Sequence, residues 1–158
     1  MSVLRLIKLP GMVTGLLTGL LVGALAALAG ASTGYIVVSA LGLGIPLAIF
    51  GIAFDALMDA GRIPFGRIAP TALYGIVVFP IARLVQELLL TAIFGEGITL
   101  QHEWGVLSFL IFQGIMGFGY GIGFLMIHSQ VIEVSAWRAY RKQAREEGNQ
   151  ARPAGKYV

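Results

Sequence analysis

Between Leu9 and Ile132 the chain consists of four long apolar runs parted by short polar connections, and that pattern leaves few folds open. A bilayer core about 30 Å thick is crossed by roughly 20 helical residues. The runs 9–30, 35–58, 71–94 and 106–132 all reach that length. Hydrocarbon offers no water to satisfy a backbone N–H or C=O, so such runs close their hydrogen bonds internally as helices. The ten-residue alternation of a membrane barrel is missing. The sequence therefore predicts an all-α integral membrane protein, a four-transmembrane-helix bundle. One membrane domain is expected over 1–147, including a short basic cytoplasmic helix at 133–147, with a disordered tail at 148–158.

Only Ala31, Ser32, Thr33 and Gly34 part the first two runs. One helix over both would exceed the bilayer more than twofold at about 1.5 Å per residue, so a helical hairpin is expected. Ser-Thr-Gly suits its turn. The basic lead, the first run and Ala27-Leu28-Ala29 have the outline of a secretory signal. The run is long for a signal core, so a retained helix is expected.

Composition supports lipid as the solvent. Of 158 residues, 57% are hydrophobic and 12% charged, where a soluble domain carries about 25% charged residues. The absence of cysteine excludes disulfides, Cys-ligated metals, thiol redox chemistry and palmitoylation. The two histidines, His102 and His128, lie in different regions, and no metal site is predicted. Basic residues flank apolar runs as membrane anchors do, which argues against nucleic acid as a partner and for membrane lipids.

Charge sets the orientation. Arg5 and Lys8 precede the first run, Arg62 and Arg67 lie between the second and third, and six Lys or Arg residues follow the fourth. With four crossings these regions share one face, and only Arg83 is left over. The positive-inside rule then places both termini in the cytoplasm, with a prokaryotic plasma membrane as the expected location. Trp137 and Tyr140 among the basic residues suit the headgroup level.

Glycine is arranged as contact surface. Gly11, Gly15, Gly19 and Gly23 fall along one helical stripe, with Thr14 and Thr18 beside it. Such a stripe admits close approach of another helix, either of another subunit or of the same chain. Gly114 precedes a second series, Gly117, Gly119, Gly121 and Gly123, whose alternation spreads it over more than one face. That helix is expected to pack tightly. It also leaves room for a lipid, a quinone or a hydrophobic pigment, and the cofactor is not fixed by the sequence.

Polar residues inside the runs are the remaining candidates. Arg83 and Glu87, four apart, can pair on one helix face, with Gln86 beside them. An unpaired Arg at mid-membrane costs about 2.5–3.5 kcal/mol on insertion scales, so a buried structural pair and an ion path are both open readings. Pro80 frees a carbonyl that Arg83 or a water could satisfy. Depth matching puts Glu87 near Gln113 and Arg83 near Tyr120. At the opposite level, Asp55 and Asp59 stand four apart and could bind a cation or share a proton, or Asp55 could meet Arg62 or Arg67. Asp55, His128 and Glu133 together could form a small ion or proton site. A pigment on His128 is a weaker reading, since no second membrane His accompanies it.

No nucleophile elbow, Walker loop, Rossmann glycine pattern or zincin motif is present, and no catalytic residue is expected. His102 and Glu103 in GITLQHEWG read as a solvated loop. The expected function is a small polytopic subunit, associated with other membrane subunits or with copies of itself, that packs into and stabilises a larger complex. The alternative is a small oligomeric ion or solute transporter.

Overall fold

The computed structural model describes residues 10–64, 66–95 and 105–150. Four helices run in order: α1 (Pro10–Leu28), α2 (Thr33–Asp59), α3 (Ile68–Phe94) and α4 (Gly105–Gln150). No strand occurs among the described residues. Each helix holds a segment long and apolar enough to cross a membrane, in α4 the part Gly105–Glu133. Each helix packs on its chain neighbour, and α1 also meets α4, which closes an up-and-down ring. The helices are apolar all round because their outer faces meet lipid: Leu20, Ile49, Leu73 and Leu107 stay more than half exposed.

The first two runs form a hairpin. Gly30 sits at φ +79°, where a Cβ would be strained. Around it the amide of Gly30 donates to Ala27 O and that of Ala31 to Ala26 O, the paired bonds of a Schellman motif. Ser32, extended at φ −63° and ψ 151°, then caps α2 by accepting from the Tyr35 amide. The turn thus closes earlier than the sequence predicts, and Thr33 and Gly34 already belong to α2. Gly30→Ala is expected to cost about 1–2 kcal/mol, the left-handed penalty of an L residue. Equilibrium unfolding in mixed micelles measures it.

The other end also differs from expectation. α4 continues through Gly148 and Asn149 to Gln150, because one helical glycine costs only about 1 kcal/mol against alanine. Residues 151–158 of the expected tail, His102 and Glu103 of the loop, and Arg5 and Lys8 lie outside the described residues.

Two apolar clusters fill the ring. Leu43, Leu47 and Ala82 form one, Phe54, Ile63 and Phe124 the other, and Tyr120 packs against both. The α1 stripe faces α2 of the same chain. A methyl group on Gly15 would overlap the backbone of Leu47 and Ala48, one on Gly19 that of Ala40 and Gly44, and one on Gly11 that of Gly51. Gly23 meets Ala40. Of the two readings of this stripe, the structure has the intrachain one. The α4 series divides by face: Gly117 and Gly121 meet Gly75, Thr71 and Ala72 of α3, whereas a methyl on Gly119 or Gly123 would touch nothing.

Candidate functional site: a buried Asp–His pair and an Arg–Gln–Glu cluster

The closeness of the α1–α2 seam creates the first site. Where Gly11 packs on Gly51, the first turn of α1 lies against the last turns of α2, and Asp55 comes one turn after Gly51 on the same face. The amide of Gly11 donates to Asp55 Oδ2 at 2.9 Å. The first N–H groups of a helix have no intrahelical partner, so a carboxylate from α2 caps α1 and meets the positive end of its dipole. Pro10 suits the helix start, since it has no N–H to satisfy.

The other carboxylate oxygen, Oδ1, lies 2.8 Å from His128 Nε2 on α4. Asp55 is 6% exposed and His128 is fully buried. The imidazole lies against Phe124 in a stacked pair at 5.5 Å and against Phe54 edge-on at 5.6 Å. His128 Nδ1 is buried without a hydrogen-bond partner. Below Phe54, the Tyr74 hydroxyl donates to Phe50 O at 2.6 Å. Three helices thus meet at one carboxylate.

The second site lies about 24 Å further along the bundle, by the helical rise between Asp55 and Ser39 on α2. Arg83 lies 3.7 Å from Glu87 and donates through Nη1 to Gln86 Oε1. Gln86 Nε2 donates to Ser39 O on α2 at 3.0 Å. Gln86 and Glu87 are buried, while the Arg83 side chain keeps 25% of its surface uncovered. Replacing Gln86 by Leu leaves the Ser39 carbonyl and Arg83 each without this partner, and a loss of about 1–2 kcal/mol is expected in micellar unfolding.

The expected groupings meet the structure unevenly. Arg83 and Glu87 come together with Gln86. Gln113 is buried, and Tyr120 packs on Phe79 and Phe124 at 5.1 and 5.7 Å. Asp55 and His128 come together, but Glu133 is exposed, five residues on and therefore rotated away. Asp59 is exposed, so the two aspartates do not form a joint cation site, and Arg62 and Arg67 are exposed as well. Sequence reasoning missed three main-chain partners, the Gly11 amide and the Ser39 and Phe50 carbonyls, and main-chain groups leave no residue-type signal. For a lipid or another hydrocarbon ligand, an open apolar groove of about 560 Å³ runs along α3 and α4 between Ile76, Leu110, Gly114 and Phe118.

Fold and site define a class of protein: a four-helix bundle of membrane-spanning helices with a buried Asp–His pair near one end. Comparison with known proteins finds no match, whether to a family model, to a curated protein or to a solved structure.

Proposed function

We propose that this chain is a small polytopic subunit that packs into a larger membrane assembly and stabilises it, with both ends on the cytoplasmic side of a prokaryotic plasma membrane. The observation that carries this reading is the partly uncovered Arg83. It stands about 16 Å inside the Phe94 end of α3 by helical rise. A quarter of its side chain is open there although Gln86 and Glu87 already engage it. A guanidinium facing hydrocarbon is costly, and a neighbouring helix that covers it removes the cost. The orientation rests on the placement of Lys and Arg.

The transporter reading draws on the same intramembrane charges. Within one chain the room is small: the internal void between Phe50, Tyr74, Val78, Tyr120 and Phe124 is about 10 Å³, the lower limit for a single water. A path would have to run between copies.

Native mass spectrometry after gentle extraction separates the readings. The expected result is the 16.8 kDa chain in fixed stoichiometry with other polypeptides. A photo-cross-linker at Phe79, half-buried one turn from Arg83 on the same face of α3, should capture one of them. A homo-oligomer whose ion flux in liposomes is lost in Glu87→Gln would establish the transporter instead. A monomer in native lipid overturns both.

A further inference from the structure

We propose that the outer groove between α3 and α4 is the docking site for a membrane-spanning helix of a different polypeptide, one that brings an uncharged hydrogen-bond acceptor to Arg83. This rests on the assembly reading and names the face and the chemistry of the contact.

Arg83 and the groove lie on one side of α3. Ile76, which borders the groove, stands seven residues before Arg83, two helical turns along the same face. That side meets α4: Gly75 closes on Gly117 and Gly121, and Phe79 lies against Tyr120. The two helices run antiparallel, so the turn after Phe79 brings Arg83 to the level of Gln113, beside Leu110 and Gly114. The uncovered quarter of the Arg83 side chain thus borders the end of the groove nearest Leu110.

The groove has the form that receives a helix. Leu110, Gly114 and Phe118 follow a four-residue ridge of α4, and the ridge dips at Gly114. A methyl group on Gly114 would meet only Ile76, at 3.8 Å, so the notch is open. A ridge of another helix packs into such a dip, and small residues let helices approach closely in lipid.

The occupant must also answer Arg83. A guanidinium carries five N–H donors in a planar fork. The bond to Gln86 and the ion pair with Glu87 engage two of them. Glu87 already balances the charge, so a second carboxylate would leave net negative charge in hydrocarbon. A hydroxyl or amide oxygen accepts without adding charge. Lipid fills the groove but does not supply that oxygen. α3 is about 40 Å long by helical rise, roughly 5 Å more than the bilayer core at each end. Arg83 therefore lies about 11 Å inside the hydrocarbon, below the level of ester carbonyls.

A second copy does not supply the oxygen either. At this depth the described outward-facing residues are apolar, among them Leu20, Leu41, Ile45, Phe112 and Met116. Ser39, Gln86 and Gln113 are buried, and Thr18 is half-buried and bonded to Thr14 O. A helix of another polypeptide meets both demands.

The test places a photo-cross-linker at Ile111 or Ile115, exposed residues of the groove, in the full chain within its native membrane. Ile49, exposed on α2, is the control position. The groove positions are expected to capture one polypeptide, through a membrane-spanning peptide that carries Ser, Thr, Asn or Gln. The control position should not capture it. Gly114→Leu fills the notch without entering the bundle, and should lower co-purification of that polypeptide about tenfold, as overpacking of a tight contact does. Arg83→Lys keeps the charge and loses the fork, and should lower it as well. Were either variant to unfold, the cross-linking map decides alone. Capture of lipid, of the chain itself or of a second copy alone overturns the proposal. So does a partner that meets Arg83 through a carboxylate, or one retained in full by a folded Gly114→Leu. In those cases a partner seen by native mass spectrometry still upholds the assembly reading, whereas a monomer there ends both.

Discussion

Gly15→Leu is expected to detach α1 from α2 and to unfold the bundle at far lower denaturant than the parent chain. Even the methyl group of Gly15→Ala would overlap the backbone of Leu47 and Ala48, and a backbone cannot rotate aside as a side chain can. Overpacking of a tight contact costs about 1–3 kcal/mol, so alanine should fall in that range and leucine beyond it. The damage should spread, because the same seam brings Gly11 to Asp55: once α1 moves out, the cap on its first turn goes with it. Gly123→Ala is the control. A methyl there meets nothing within 4 Å, and alanine favours a helix by about 1 kcal/mol over glycine, so this variant should match the parent or exceed it slightly. Unfolding in mixed micelles, followed by helical signal and by protease access to the α1–α2 turn, measures both. Equal behaviour of Gly15→Leu and Gly123→Ala would mean that the seam does not hold the bundle.

The contrast between these two glycines shows what the sequence made legible. Four apolar runs and the skew of Lys and Arg suffice for the helix count, because a bilayer prescribes helix length and main-chain bonding. The α1 stripe was visible as a contact face, since a four-residue period lies along one side of a helix. Its partner was harder to see, because the stripe on α2 is mixed: Ala40, Gly44, Ala48 and Gly51 receive it at helical spacing but without the all-glycine repeat that marks α1. Gly75, against which Gly117 and Gly121 close, is a single glycine in α3 and gave no periodic signal. The Arg83–Glu87 pair was legible from local spacing. The Asp55–His128 pair lies 73 residues apart in the chain and was legible only as a shared level at the same end of antiparallel helices. Helical geometry could have excluded Glu133 from that cluster in advance, because five residues turn a side chain well away from the starting face.

Asp55→Leu should be the most destabilising single change at that end of the bundle, by about 3–5 kcal/mol, and the second substitution that relieves it tells why. Leucine removes the acceptor of the Gly11 N–H and the partner of His128 Nε2 together. It leaves a fully buried imidazole with both nitrogens unpartnered. Unmade bonds of buried polar groups carry their whole desolvation cost, which is why losing one member of a buried pair is worse than losing both. Adding His128→Phe should therefore restore much of the loss. Phenylalanine fits between Phe54 and Phe124, and only the Gly11 N–H then remains without its partner. Asp55→Asn should cost less than leucine, since its carbonyl can still accept from the Gly11 N–H. A double-mutant cycle in mixed micelles reads the coupling, expected to exceed about 2 kcal/mol for groups in direct contact. A coupling near zero would mean that the two side chains are adjacent without depending on each other. The pair would then not be a latch between α1, α2 and α4.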